Sequence, residues 1–241
     1  MAVRLDNSAD SLSRTTNLPT ITSFTMMGWF RIVTDTNAQV AFMALGASTT
    51  DVRYTLMCDD DGVTALIWNG STFTTGAAFV VNTWYHLAMT VAGTGANQFI
   101  WYKDGVSFMT LAGNASVAAQ KMWIGSSNVP DLLNGRVAAV KVWSGAVLTV
   151  DEIKIEMRSM LPVRTANLNT WSPLLAATDV GNYGTTGAWT VGGTLTTEDG
   201  PPIAWDLHPA ARLRTQAVAA GAVLPRGPVV LNQAVMRGTY L

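Results

Sequence analysis

Cysteine is nearly missing from this chain: Cys58 is the single one among 241 residues. An intrachain disulfide is therefore excluded, and the fold does not depend on an oxidising compartment. Histidine occurs only at His86 and His208, so one cysteine and two histidines leave no zinc constellation. Charged residues make up 13% of the chain, against about 25% in an average soluble protein, and so much apolar surface hints at a partner. The net charge of -1 gives no Lys/Arg excess to neutralise phosphates, which argues against nonspecific nucleic-acid binding. No 18-residue apolar run occurs, and Met1-Ala2-Val3-Arg4-Leu5-Asp6 lacks the continuous apolar stretch of a signal peptide. The expectation is synthesis in the cytosol without membrane insertion.

What is abundant is apolar and aromatic: 49% hydrophobic residues and nine tryptophans, enough to bury one large core. Short segments rich in Val, Ile, Trp, Phe and Thr recur between turn residues, the pattern of an antiparallel sandwich or barrel. Strands are predicted at 24–33, 40–46, 53–58, 63–69, 84–92, 98–103, 122–125, 135–143, 169–175 and 187–195, with a further strand entered after Val106. Asp59-Asp60-Asp61-Gly62 and Lys103-Asp104-Gly105-Val106 read as hairpin turns, because glycine takes positive φ without a Cβ clash. Within 135–143, strict alternation puts Val137, Ala139, Lys141 and Trp143 on one face and Ala138, Val140 and Val142 on the other. With apolar residues on both faces, this is expected to be a central strand covered on each side. Val150, Ile153, Met157 and Met160 recur at helical spacing, and Thr149 with Glu152 can form a capping box, so a helix over 150–160 ends before Pro162.

After Gly200-Pro201-Pro202 the composition changes and sustained periodicity is lost. The last acidic residue is Asp206; 11 basic against 16 acidic residues give -5 for residues 1–206, and Arg212, Arg214, Arg226 and Arg237 make the remainder +4. The predicted organisation is one domain over 1–206 and an extended arm over 207–241. The arm is too apolar and too poor in Ser, Glu and Lys for typical disorder. It is expected to lie along its own domain, a sister subunit or another protein, with the four arginines as partner-binding residues.

Several stretches resemble the laminin G-like jelly roll of the concanavalin A-like lectin and glucanase superfamily. They are Ser23-Phe24-Thr25-Met26-Met27-Gly28-Trp29-Phe30, Trp84-Tyr85-His86-Leu87-Ala88-Met89-Thr90 and Ile100-Trp101-Tyr102-Lys103-Asp104-Gly105, then Ile124-Gly125, the run from Leu133 to Trp143, and Leu148-Thr149-Val150-Asp151-Glu152-Ile153. Order and spacing agree across residues 20–160. The resemblance implies an all-β sandwich of two antiparallel sheets with one short helix, and ligands at a rim or on the concave face. It does not imply one function.

Candidate chemistry is sparse. Glycoside hydrolysis needs two flanking carboxyl groups, yet the only glutamates are Glu152, Glu156 and Glu198, and no strand carries acids at alternating positions. Three aspartates after Cys58 would suppress its thiolate, and His86 on a strand reads as a core or inter-sheet hydrogen-bonding residue. No catalytic residue is assigned, and the chain is expected not to be an enzyme. No cofactor is expected; calcium is the metal to weigh, since many domains of this family bind it at the rim, and Asp59, Asp60 and Asp61 are its candidate ligands. Most tryptophans must fill the core. Trp68, with Asn69 beside a turn, is the candidate for stacking against a sugar.

The leading functional expectation is a virion component of a bacteriophage, such as a capsid decoration, fibre or tail protein. Laminin G-like domains usually work outside cells, and a phage protein made in the host cytoplasm reconciles that with the absence of disulfides and a signal peptide. Its partners would be other copies of itself or another virion protein, docked through the arm. The alternative is a glycan-binding adhesion module, extracellular or on the same particle; a glycoside hydrolase comes third.

Overall fold

The computed structural model describes residues 1–6, 10–34, 38–46, 48, 51–113, 118–126, 133–175 and 188–203. The arm with Arg212, Arg214, Arg226 and Arg237 lies outside these residues, as does Trp205. The described strands form two sheets in which every pairing is antiparallel. The first sheet runs β10 (Val106–Leu111), β9 (Phe99–Lys103), β8 (Tyr85–Val91), β3 (Phe24–Ile32), β12 (Gly135–Ser144), β1 (Ala2–Leu5) and β15 (Thr196–Glu198), and β13 (Leu168–Ser172) also pairs with β12. The second runs β14 (Thr190–Gly192), β2 (Ser11–Arg14), β11 (Lys121–Ile124), β4 (Val40–Gly46), β5 (Val52–Cys58), β6 (Thr64–Trp68) and β7 (Phe73–Ala78). Non-sequential neighbours such as β3 and β12, or β4 and β11, give the jelly-roll sandwich that the resemblance implies.

Between the sheets, edge-to-face aromatic contacts make the centre of the core. Phe24–Tyr54 and Tyr54–Phe99 have ring centroids 5.6 and 4.8 Å apart, and Phe30–Phe42 and Phe42–Phe79 lie at 5.5 and 5.2 Å. Each such pair adds about 0.5–1.5 kcal/mol beyond the area it buries. Cys58 is fully buried in this core.

The outer face of the first sheet is covered by helix α1 (Val150–Met157) and the segment leaving it. The predicted capping box forms: Thr149 Oγ1 accepts from the Glu152 amide at 3.3 Å, and Glu152 Oε2 accepts from the Thr149 amide at 2.8 Å. The helix is three residues shorter than its apolar spacing suggests: the Glu156 and Met157 carbonyls, which a further turn would direct at the Met160 and Leu161 amides, accept from Lys141 Nζ and the Trp29 indole. Three indole N–H groups anchor this cover: Trp29 donates to the Met157 carbonyl (3.1 Å), Trp143 to Arg164 (2.9 Å) and Trp171 to Met160 (3.0 Å). Lys141 Nζ, wholly buried beneath, donates to Glu156 Oε2 at 2.7 Å and to the carbonyls of Glu156, Ser159 and Leu161.

β12 is central, as its two apolar faces predict, with β3 on one side and β1 and β13 sharing the other. Its faces differ from strict alternation. A bulge between Ala138 and Lys141 puts Ala139 at φ +51°, and the extra residue reverses the phase of the strand. Val137 thus joins Val140 and Val142 in the core, while Ala138 and Ala139 face outward with Lys141 and Trp143. Four strands escape the periodicity reading: β1, β2, β7 and β15 are short or lack β-branched and aromatic alternation.

Candidate functional site

The second sheet carries a row of side chains aligned across its strands on the outer face. By register, Phe73 of β7 faces Trp68 of β6, which faces Thr55 of β5, then Ala44 of β4, Trp123 of β11, Ser13 of β2 and Thr190 of β14. The middle of the row is closed. Trp123 is 3% exposed beneath the Lys121 ammonium, and Thr55 is buried with no partner for its hydroxyl among the described residues. The β6–β7 end is open: Trp68 is half-buried and Phe73 is 58% exposed. Their rings lie nearly parallel, 26° apart with centroids at 6.4 Å.

The hairpin turn explains this pairing. Asn69 Oδ1 accepts from the Ser71 and Thr72 amides (3.0 and 2.8 Å), and Gly70 takes φ +88°. Asn69 itself is buried, and its Nδ2 donates to the Ala112 carbonyl at 2.9 Å, stitching this hairpin to the segment after β10. Its carboxamide positions Trp68 and Phe73 through the turn. Arg53, two residues before Thr55 on the same face of β5, runs past Gly70: a Cβ there would sit 3.0 Å from Arg53 Cδ. Its guanidinium donates to Asp51 Oδ2 at 2.6 Å. An aromatic platform is thereby flanked by a donor and an acceptor held in fixed relation.

The other sequence candidates are elsewhere. Asp59, Asp60 and Asp61 occupy the β5–β6 turn, closed by Gly62 at φ +73°. Asp61 binds its own turn: Oδ1 accepts from the Val63 and Thr64 amides and Oδ2 from the Thr64 hydroxyl. The hydroxyl and amide bonds from Thr64, with the Val63 amide, hold its carboxyl below the usual range. Among the described residues, no three His, Cys, Asp or Glu side chains converge in a way that could hold a metal. His86 is buried edge-on against Trp29, with centroids 5.5 Å apart on the outer face of the first sheet, so it does not bridge the sheets. Burial, then the Lys141 charge, pushes its pKa down to about 3.

The three glutamates are all in structural pairings: Glu152 with the cap and Arg164, Glu156 with Lys141, and Glu198 with a group of arginines. Phe73 and Arg53 are absent from the sequence reading because β7, Phe-Thr-Thr-Gly-Ala-Ala, has weak strand character. The available signal is the Trp-Asn-Gly-Ser-Thr-Phe segment: with Gly70-Ser71 as the central pair of a tight turn, Asn69 faces Thr72 and the next residues out, Trp68 and Phe73, face each other.

A family model described as the concanavalin A-like lectin/glucanases superfamily matches residues 6–154. The chain belongs to this superfamily. No curated protein matches it by sequence. Among solved structures, the superfamily fold is shared with a Bacteroides ovatus protein described as a candidate carbohydrate binding protein, at 17% identity and TM-score 0.60. That match covers 84% of this chain, which spans only 61% of the other. A heptameric SAP-like pentraxin from Limulus polyphemus matches at 14% identity and TM-score 0.51, over 64% of this chain and 79% of the pentraxin. A Trypanosoma rangeli sialidase in complex with sialic acid matches at 14% identity and TM-score 0.50, over 64% of this chain and 27% of the sialidase. At these identities the likeness is one of fold.

Proposed function

We propose that this protein is a non-enzymatic glycan-binding module that holds a neutral sugar ring on the Trp68–Phe73 platform. The carrying observation is the near-parallel aromatic pair, open to solvent at Phe73, beside the Arg53–Asp51 ion pair. An aromatic face packs against the CH face of a pyranose, and a fixed guanidinium and carboxylate can bond neighbouring hydroxyls; a few placed polar groups on an aromatic surface are the usual make-up of such sites. The lectin-like fold, shared with a candidate carbohydrate binding protein, supports the same reading. So does the engagement of all three glutamates in structural pairings, which leaves none of them to flank a glycosidic bond.

A broad glycan array with and without calcium, followed by calorimetry on any hit, tests the reading. Phe73→Ala and Trp68→Ala should each weaken binding by about tenfold or more, and Phe73→Ala should leave the melting temperature nearly unchanged because the ring is largely exposed. Retention of full affinity in both variants, or binding to no glycan, would sink the reading. Turnover of β-glucans that vanishes on changing Glu198 would instead favour an enzyme. Placement in a bacteriophage particle rests on the arm and on compartment arguments, and no described residue favours it over another setting.

A further inference from the structure

Arg4, Arg136 and Arg31 stand on the adjacent strands β1, β12 and β3 and are direct register partners, Arg4 with Arg136 and Arg136 with Arg31. Like charges placed opposite one another on neighbouring strands repel, so three guanidiniums in one row need a shared counter-ion. Glu198 supplies it from β15. Arg136 grips its carboxylate with two bonds, Nε to Oε2 and Nη2 to Oε1, both 2.5 Å. Arg31 Nη2 and Arg4 Nη1 approach the same two oxygens at 3.2 Å. Arg4 also pairs with Asp6. Arg136 is buried and its third nitrogen donates to the Gly135 carbonyl at 2.8 Å, which fixes the fork.

The cluster has more donors than Glu198 can accept. Nε of Arg4 and Nε of Arg31 are buried and lack partners among the described residues. Among the described residues, three guanidiniums face two carboxylates, Asp6 and Glu198, which leaves one positive charge in excess. The carboxylate that fills the cluster comes from a three-residue strand that, among the described residues, pairs with β1 alone. The Arg31 guanidinium also lies over the Trp84 ring, 5.3 Å from its centroid.

We propose that Arg4, Arg31 and Arg136 form a carboxylate-binding site that Glu198 occupies in cis, and that a uronate sugar competes for it. A rigid two-bond fork selects a planar carboxylate. The small excess charge suits a single carboxylate rather than a polyanion, for which a wide basic surface would be needed. The half-buried Trp84 ring beside Arg31 gives a sugar ring a face that a peptide carboxylate would not use. The choice of a sugar as the carrier of the carboxylate rests on the glycan-binding reading, although the site lies on the other sheet from the platform.

The test is chemical rescue. In Glu198→Ala, glucuronate should bind at least tenfold more tightly than to the unaltered protein in calorimetry, and it should raise the lowered melting temperature. Glucose at the same concentration should do neither, acetate should rescue more weakly than glucuronate, and adding Arg31→Gln should abolish the gain. Should Glu198→Ala not fold, Glu198→Gln takes its place, since a neutral side chain of the same shape leaves no cavity while weakening the competitor. Equal glucuronate affinity with and without the Glu198 change overturns the proposal. Tighter binding of a tetraglutamate peptide than of glucuronate overturns the sugar assignment in favour of a protein partner. Neutral oligosaccharides report on the Trp68 platform alone, so failure there and failure here are told apart.

Discussion

At the scale of single residues, the costliest burials lie under α1. Lys141 and Glu156 are both 1% exposed by side chain; burial lowers the lysine pKa and the Glu156 charge and hydrogen bond oppose that shift. Removing one partner leaves an unpaired buried charge, so Glu156→Ala should cost about 3–5 kcal/mol in denaturant unfolding. Glu156→Leu with Lys141→Met should cost less than either change alone, since replacing a buried pair with apolar groups is often neutral. A double variant that is merely additive would show that the carbonyls of Ser159 and Leu161 matter more than the carboxylate. His86 gives a second prediction. Its folded pKa near 3 lies below the unfolded value of about 6.5, so the unfolded state takes up a proton first. Stability is then complete above about pH 6.5 and falls, by on the order of 1 kcal/mol per unit, as pH drops toward 3. His86→Phe should flatten that part of the stability profile.

At the scale of elements, the short strand β15 depends on its carboxylate. The bonds from Arg136, then the Arg136, Arg4 and Arg31 charges, hold the Glu198 carboxyl below the usual range. A carboxyl with a depressed folded pKa contributes above its unfolded value of about 4.3 and loses that contribution as pH falls through the folded value. Below about pH 4, amide exchange in β15 and its partner β1 should therefore accelerate in the unaltered protein. Glu198→Gln should show fast exchange in these strands at all pH values. An acid profile identical in both would mean that backbone pairing alone retains β15. The bulge in β12 is an element-scale device as well: without Ala139 at positive φ, Val137 or Val140 would leave the core, because one residue of slip exchanges the faces of a strand.

Across the whole molecule, protection should follow position in the two sheets. β3, β8 and β12 are covered on one side by the shared core and on the other by α1 and its exit segment, and β4 and β5 are likewise buried along nearly their full length. Hydrogen exchange in these strands should need an opening close to global unfolding, whereas β7, β14 and β15, at the margins, should exchange through local opening. β7 should be the fastest long strand, being exposed or half-exposed at every position. If β7 matched β8, the platform hairpin would belong to the cooperative core rather than to a separable edge.

The sequence alone determined the local features of this protein. Strand segments, the Asp-Gly and Asp-rich turns and the Thr149–Glu152 cap follow from residue types and short spacings, and the Trp-rich, Glu-poor composition points to a sandwich without an evident acid pair. Trp68 was legible as a site candidate because an aromatic beside Asn-Gly marks a hairpin tip. Its companions Phe73 and Arg53 were not, since their nearness depends on strand register. The same holds for Arg4, Arg31 and Arg136, separated by long stretches of chain yet adjacent in one row, and for Glu198, which sequence treats as an unremarkable acid. Pairing partners, the bulge that reverses β12 and the sorting of tryptophans between core and helix cover are decided only by tertiary structure. Cross-strand neighbours are set by the packing of two whole sheets, and no short-range preference encodes that arrangement.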